Sequence, residues 1–164
     1  METIDSNHPL FLNPSDTPGV TLVSHPLLGL ENYSVWSRSM RIALLAKNKL
    51  GFVDGACRKE SYLAVLRPQW ERCNAVVLSW ILNSVNQDLS AGIVFATSAV
   101  AVWKDLKERF DKVDGSRIYF LHRSIAAMIQ GDVSVSVYYT RLKLLWDEYS
   151  ALVPFSTCEC EVAQ

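Results

Sequence analysis

The sequence predicts an all-α fold, a compact bundle of five to six helices preceded by an extended N-terminal arm. Three observations carry this prediction. From residue 31 onward, apolar side chains recur every three to four positions, the helical period, rather than at every second position. Ser, Asn, Pro and Gly punctuate these stretches where helices usually begin and end. Only short turns separate the stretches and no strand-like segments alternate with them, so no central sheet is expected.

Residues 1–30 are predicted to form the extended arm. Prolines and turn-forming residues cluster there, as in segment 13–19, and a residue that precedes proline is disfavoured in helical geometry. Residues 20–23 favour at most a short strand, because an isolated strand is marginal in water.

The first predicted helix begins at Tyr33, with Asn32 as its cap, and is stopped by Gly51. A second helix begins at Pro68, a residue suited to a first helical turn, and carries two tryptophans on one apolar stripe. A short helix is then expected from residue 88 to about 95. The apolar stripe of the second helix comprises Trp70, Cys73, Val77, Trp80, Ile81 and Val85.

The next helix is predicted to follow a cap at Thr97 or Ser98. On its polar side, acidic residues precede basic residues by four positions, the favourable order for helix ion pairs, so these charges are expected to face solvent. The pairs are Asp105 with Arg109 and Glu108 with Lys112, and the opposite, buried stripe is Ala99, Val102, Trp103, Leu106 and Phe110.

Two further helices complete the predicted bundle. One follows a turn at Asp114-Gly115 and is expected to end at Gly131, the usual residue type for a left-handed C-terminal cap. The other opens at Ser134 or Ser136 and is ended by Pro154. The predicted buried stripes are Ile118, Leu121, Ile125 and Met128 in the first, and Tyr138, Leu142, Leu145, Trp146 and Tyr149 in the second.

Composition argues against several classes of function. Sixteen basic and seventeen acidic residues leave a formal charge of −1, so the whole molecule has no field that attracts RNA or an anionic membrane. The N-terminus lacks the basic and apolar regions of a secretory signal, and no apolar run approaches the ~20 residues that span a bilayer. We therefore expect a cytoplasmic protein with no membrane partner.

Several blocks of the sequence, in one order, carry a resemblance to a known family. They are PLLGLENYSVWSRSM (26–40), KNKLGFVDG (47–55), WERCN (70–74), SWILNSV (79–85), WKDLKERF (103–110) and YYTRLKLLWDE (138–148). Together they resemble the N-terminal capsid region of the Gag polyprotein of plant copia-type LTR retrotransposons, from about residue 10 to the end of the chain.

The resemblance implies a non-catalytic capsid domain that associates with itself and with other Gag copies into virus-like particles. It implies an arm (1–30), a helical capsid-like domain (31–156) with an N-terminal block (31–60) and core helices (68–156), and a C-terminal tail (157–164). RNA is then reached only indirectly, through a zinc knuckle downstream of this sequence, and no small-molecule substrate is expected. The implied core residues are Tyr33, Trp36, Met40, Trp70, Trp80, Trp103, Leu106, Phe110, Leu142 and Trp146.

Two alternative functions stay open. The chain resembles an isolated N-terminal part of Gag, so a truncated or domesticated Gag that inhibits assembly of intact Gag is one alternative. The other is an RNA-binding chaperone. In addition, members of the family commonly carry a carboxylate at the position of Val137, where it completes a capping box with Ser134, and an acidic residue early in the helix at 99–101. Each departure is expected to cost ~0.5–1 kcal/mol.

Two further patterns, the tryptophans and a pair of cysteines, also occur in nucleic-acid-binding and metal sites. The five tryptophans are predicted to pack in the core, because single-strand binders combine aromatics with positive tracks. Cys158 and Cys160 are weak candidates for half a metal site, but structural zinc needs four ligands, so neither a metal nor a cofactor is predicted.

No catalytic residue is predicted either. Cys73 lies on an apolar stripe, where a thiol is a buried hydrophobe of raised pKa, which argues against pairing His122 with Cys73 or Cys57 as base and nucleophile. The basic cluster Lys47, Lys49, Arg58 and Lys59 is interpreted as a solvated helix end, with an RNA site as the less favoured reading.

Overall fold

The computed structural model describes residues 4–111 and 115–153, with only the backbone for residues 115 and 116. The predicted all-α class is confirmed, with five helices of twelve or more residues and two of four residues in these ranges. They are α1 (Tyr33–Ala46), α2 (Gly51–Asp54), α3 (Arg67–Leu82), α4 (Gln87–Ser90), α5 (Ala99–Phe110), α6 (Gly115–Ala126) and α7 (Val135–Leu152), with 3₁₀ turns at Lys59–Ser61 and Ala64–Leu66.

The chain divides into two compact units, one up to Asp111 and one from Lys112 onward. The core of the first unit is built from the arm and from helices α1, α2, α3 and α5. Within the arm, Leu10 and Leu27 are fully buried, so the arm is part of this core rather than an appendage. Burying two such side chains contributes about 1.5–3 kcal/mol each.

The arm joins the end of α3 through a single backbone pairing. Leu27 N donates to the carbonyl of Ser84 at 2.8 Å, and Asn86 N donates to the carbonyl of Leu27 at 3.0 Å, which makes an isolated parallel bridge between Leu27 and Val85. The expected strand at residues 20–23 is wrong, because the structure provides no partner strand for that segment within the described ranges.

The predicted side-chain cap of α1 and the predicted end of α1 both differ from the structure. Asn32 occupies the N-cap position but does not cap the helix, because its side chain accepts from Leu28 N and donates to the carbonyl of Pro26, both at 2.9 Å. The helix ends at Ala46 rather than at Gly51, which instead opens α2.

The end of α1 is a Schellman turn built on asparagine. Asn48 adopts a left-handed backbone with φ 55°, and its N–H donates to the carbonyl of Leu45 at 2.9 Å. Lys49 N donates to the carbonyl of Leu44 at 2.8 Å, which satisfies another orphan carbonyl of the last turn. Asparagine tolerates this conformation better than most residues, so the helix ends before the glycine that the sequence suggested.

The central helices agree closely with their predicted stripes. In α3, Cys73, Val77, Trp80 and Ile81 are buried, and Trp70 is half-buried. The short helix α4 covers only Gln87–Ser90, capped by the Asn86 side chain, and not residues 88–95. Gly92 lies in the segment that was predicted to continue this helix. Glycine is a poor helix former, which explains why α4 ends at Ser90.

Helix α5 begins at the predicted cap, where Ser98 Oγ accepts from Ala101 N at 3.3 Å. The Asp105–Arg109 ion pair is confirmed at 3.2 Å. Glu108 contacts Lys104 at 3.7 Å, whereas its predicted partner at position 112 lies outside the described residues.

The second unit is described by α6 and α7, which contact each other. Arg117 donates from Nη2 and Nε to Glu148 Oε1 at 2.6 and 3.0 Å, and both side chains are nearly buried. Two charge-assisted hydrogen bonds to one carboxylate oxygen thus tie α6 to α7. Leu121, on the predicted stripe of α6, is fully buried.

Helix α6 ends at Ala126, five residues before the predicted stop at Gly131. Gly131 does adopt a left-handed conformation, with φ 55°, but within the loop that leads to α7. Ile129 in this loop is 86% exposed, so its apolar side chain gives no burial that would stabilise a longer α6. The predicted turn residue Asp114 and the predicted stop at Pro154 lie outside the described residues.

Helix α7 opens at the predicted cap, where Ser134 Oγ accepts from Val137 N at 3.3 Å. Its predicted stripe is only partly covered, since no residue of α7 is fully buried. Tyr138, Leu142, Leu145 and Tyr149 are half-buried. The predicted burial of Trp146 is wrong, because its side chain is 49% exposed.

Candidate interaction surfaces

Four of the eight predicted core residues of the first unit meet in an aromatic cluster between α1 and α5. The rings of Trp36 and Trp103 stack with centroids 5.4 Å apart at 29°. Tyr33 lies 6.0 Å from Trp36 and 6.3 Å from the half-buried Phe110. Burial, aided by the charge of Asp111, raises the pKa of Tyr33 to about 12. Met40 and Leu106 are fully buried in the same unit.

Three indole N–H groups of the first unit donate to backbone carbonyls. Trp36 donates to Ser84 at 2.9 Å, Trp80 to Thr17 at 2.8 Å, and Trp70 to Cys57 at 3.0 Å. Each bond joins a helix to a loop, and each polar group is thereby satisfied inside the protein. These indoles are core-forming groups, which leaves them unsuited to stacking on nucleobases.

The basic cluster around the end of α1 is not a free patch. Lys49 is 1% exposed, and its Nζ donates to the carbonyl of Phe11 at 2.7 Å and to that of Lys47 at 3.5 Å. Burial lowers the pKa of Lys49 from its usual value. The interpretation of Lys49 as part of a solvated helix end is therefore wrong, because its ammonium group anchors the arm to the α1–α2 turn.

The other members of this cluster also have internal partners. Lys47 Nζ lies 2.7 Å from Asp16 Oδ1, and the carboxylate of Asp16 is almost fully buried. Lys59 pairs with Glu71, and Arg58 Nε donates to the carbonyl of Gly55 at 3.0 Å. The charges of this cluster are therefore engaged in contacts within the first unit.

A cavity of about 440 Å³ lies beside this anchor, between the arm and the end of α1. Its lining includes His8, Asn13 and Asp16 from the arm and Ala43 and Asn48 from the α1 side. Asp16 is held by two contacts, since its Oδ2 also accepts from Asn13 N at 3.0 Å. The polar groups here stabilise the folded arm.

The two cysteines of the described chain are buried thiols. Burial raises the pKa of Cys73 to about 11, and Cys73 Sγ contacts the carbonyl of Leu10 at 3.3 Å. Burial also raises the pKa of Cys57, whose Sγ lies 3.3 Å from Tyr62 Oη. A thiol in this state is a poor nucleophile. His122 belongs to the second unit, where its ring lies 6.3 Å from that of Tyr149.

The structure gives no support for a metal site among residues 4–111 and 115–153, where no group of three His, Cys, Asp or Glu side chains comes together. Cys158 and Cys160, the weak candidates, lie outside these residues. None of the described helices combines the length and the apolar character that crossing a membrane requires.

One exposed apolar site lies on the outer face of α1. Ile42 and Leu45 are 61% and 65% exposed, and they line a shallow cavity of about 340 Å³ together with Arg38, Arg41 and Leu50. This site combines apolar contact area with two guanidinium groups.

A larger exposed apolar surface belongs to the second unit. In α7, Val135 is 67%, Tyr139 62% and Trp146 49% exposed. Their spacing, i, i+4 and i+11, forms a second stripe beside the half-buried one. Sequence reasoning missed this stripe, because Trp146 was assigned to the buried face, and Val135 and Tyr139 were assigned to no face. On α6, Tyr119 and Phe120 are 66% and 49% exposed.

Comparison with protein families gave a match for part of this chain. Residues 13–59 match the model of a family described as Gag-polypeptide of LTR copia-type. The matched segment contains most of the arm, α1 and α2, including Trp36 and the buried Lys49. Comparisons with curated proteins and with solved structures gave no match.

Proposed function

Because residues 13–59 belong to the copia-type Gag family, we propose that this chain is a non-catalytic structural protein that acts by associating with itself and with other Gag copies in the cytoplasm. The observation that carries the proposal is this family match, joined to a helical molecule whose second unit leaves large aromatic side chains exposed. Contiguous exposed apolar surface is one of the features that mark protein interaction sites.

Enzymatic activity and direct RNA binding receive less support. The described thiols are buried and of raised pKa, which disfavours a cysteine nucleophile. The formal charge is −1, and the basic cluster near α1 is engaged internally. A protein that neutralises several phosphates needs free basic side chains on one face.

Mixing with an intact copia-type Gag protein tests the proposal. Tagged chain is added to the longer Gag at increasing molar ratios during particle assembly, and the particles are collected by sedimentation. We expect the chain to sediment with the particles in proportion to its ratio, whereas an unrelated helical protein of similar mass stays in the supernatant. The proposal fails if the chain stays in the supernatant at every ratio.

The same experiment separates the building-block role from inhibition. A building block leaves the yield and size of the particles unchanged as it is incorporated. An inhibitor binds the growing particle through one contact but lacks the contact that the following subunit needs. Particle yield therefore falls steeply even when less inhibitor than intact Gag is present.

A further inference from the structure

We propose that the exposed stripe of α7 is a homotypic contact, through which two copies of the chain pair their α7 helices antiparallel about a two-fold axis near residue 145. This inference rests on the proposed function, because it names the surface and the partner through which self-association occurs. It assigns a role to Trp146, Lys143 and Asp147.

The stripe is an apolar strip of α7 that lies beside the face in contact with α6. At 100° per residue, Val135, Tyr139 and Trp146 lie within ~40° of one another on α7. Helix α6 contacts α7 through Glu148, ~160° from the centre of the stripe, and through Tyr149, ~60° from Trp146. Val135, Tyr139 and Trp146 stay exposed beside these contacts among the described residues, so the stripe is open to a partner.

The spacing of the stripe residues suits a two-fold axis near residue 145. In an antiparallel pair centred there, each residue of one copy lies opposite a residue of the other copy, and the two residue numbers add up to 290. Trp146 is one residue from the axis, so the two indoles meet with an offset of ~3 Å along the helices. Tyr139 of each copy lies near the small residue Ser150 of the second copy, which is within ~40° of Trp146 around α7.

The charges beside the stripe favour a second copy as the occupant. Lys143 Nζ lies 2.8 Å from Asp147 Oδ2, and the two side chains are 56% and 60% exposed. In the antiparallel pair, Lys143 of each copy lies opposite Asp147 of the other, which gives a square of alternating charge. A contact of this kind is isologous, since the same patch serves both copies.

The size of the stripe indicates a weak contact. An aromatic side chain buries roughly 150–250 Å², so the exposed parts of Tyr139 and Trp146 amount to about 200–300 Å² per copy. The aliphatic stems beside them add to this area. A standard stable interface buries ~800 Å² per partner. We therefore expect association that depends on concentration and that gains strength only when many copies assemble.

A charge-exchange experiment with the full-length chain tests this geometry. The Lys143→Asp variant carries two acids beside the stripe and the Asp147→Lys variant carries two lysines, so each variant repels itself. We expect each alone to associate at least ~10-fold more weakly than the wild type in sedimentation equilibrium. An equimolar mixture restores association to within ~3-fold, because each acid of one copy then faces a lysine of the other.

Two matched variants control for loss of apolar area. Trp146→Ala is expected to weaken self-association at least ~10-fold, whereas Ile129→Ala, at a site 86% exposed outside the helices, leaves it unchanged. Far-UV circular dichroism verifies that every variant keeps its helices.

Each possible outcome decides the inference. If the stripe instead docks on the first unit or on residues 154–164 of its own chain, mixing the two charge variants restores nothing, and the inference is overturned. If the wild type associates and all four variants associate equally, the contact lies elsewhere and the proposed function stands. A wild type that never associates contradicts both proposals.

Discussion

Replacing Trp36 with phenylalanine tests how the aromatic cluster holds the first unit together. The indole is 3% exposed, and its N–H donates to the carbonyl of Ser84 at 2.9 Å. That carbonyl also accepts from Leu27 N at 2.8 Å, so it keeps one partner in the variant. The lost hydrogen bond therefore costs ~1 kcal/mol, without the larger penalty of an unsatisfied buried acceptor.

The smaller ring adds a packing loss. Phenylalanine fills less of the space against Trp103, and losing ~50 Å² of buried apolar contact costs ~1–1.5 kcal/mol. We expect a total loss of ~2–3 kcal/mol in the free energy of unfolding, measured by urea denaturation followed by far-UV circular dichroism. Trp146→Phe is the matched control, because Trp146 is 49% exposed and its replacement should change stability by less than ~0.5 kcal/mol at low protein concentration. Equal losses for the two variants would refute the assignment of buried and exposed indoles.

Three further predictions concern single contacts. The buried thiol of Cys73 has its pKa raised from 9.0 to about 11, so the unfolded chain loses this proton first and stability falls by ~2–3 kcal/mol as pH rises from 9 to 11. In the Cys73→Ala variant, the free energy of unfolding measured in urea should therefore fall less between pH 8 and pH 11 than it does in the wild type. An equal fall in both proteins contradicts the burial of Cys73. Asp16→Asn removes the ion pair with Lys47 but keeps an acceptor, so a loss of ~1 kcal/mol is expected, and no loss at low salt would exclude a role for the pair. Val137→Glu completes the capping box with Ser134 and should raise the helix stability of the second unit by ~0.5–1 kcal/mol, seen as slower amide exchange in α7, whereas faster exchange would contradict the cap.

The sequence was sufficient for the fold class, which is confirmed, and for the resemblance to copia-type Gag, which the family match supports over residues 13–59. The helical period identified α1, α3 and α5 because each has a single apolar stripe bounded by strong signals such as Ser98 and Pro68. Burial of Cys73 also followed from its place on such a stripe.

Other features depend on contacts between distant residues, and these were beyond sequence reasoning. Lys49 is charged and was expected in solvent. Its ammonium group instead donates a hydrogen bond to the carbonyl of Phe11 in the arm, 38 residues away in the sequence. Asn32 binds the preceding loop instead of capping α1, and the left-handed residue that ends the helix is Asn48 rather than the predicted Gly51, because loop geometry decides both. Periodicity places Trp146 on a stripe but does not supply the partner that would cover it.

The solution mass of the full-length chain over a wide concentration series tests the central proposal most directly, namely that this helical chain, which matches copia-type Gag over residues 13–59, acts by pairing with copies of itself. Sedimentation equilibrium should show the mass rising from the 18.4 kDa monomer toward the dimer and beyond as concentration increases. A mass that stays at 18.4 kDa up to the highest soluble concentration would contradict it.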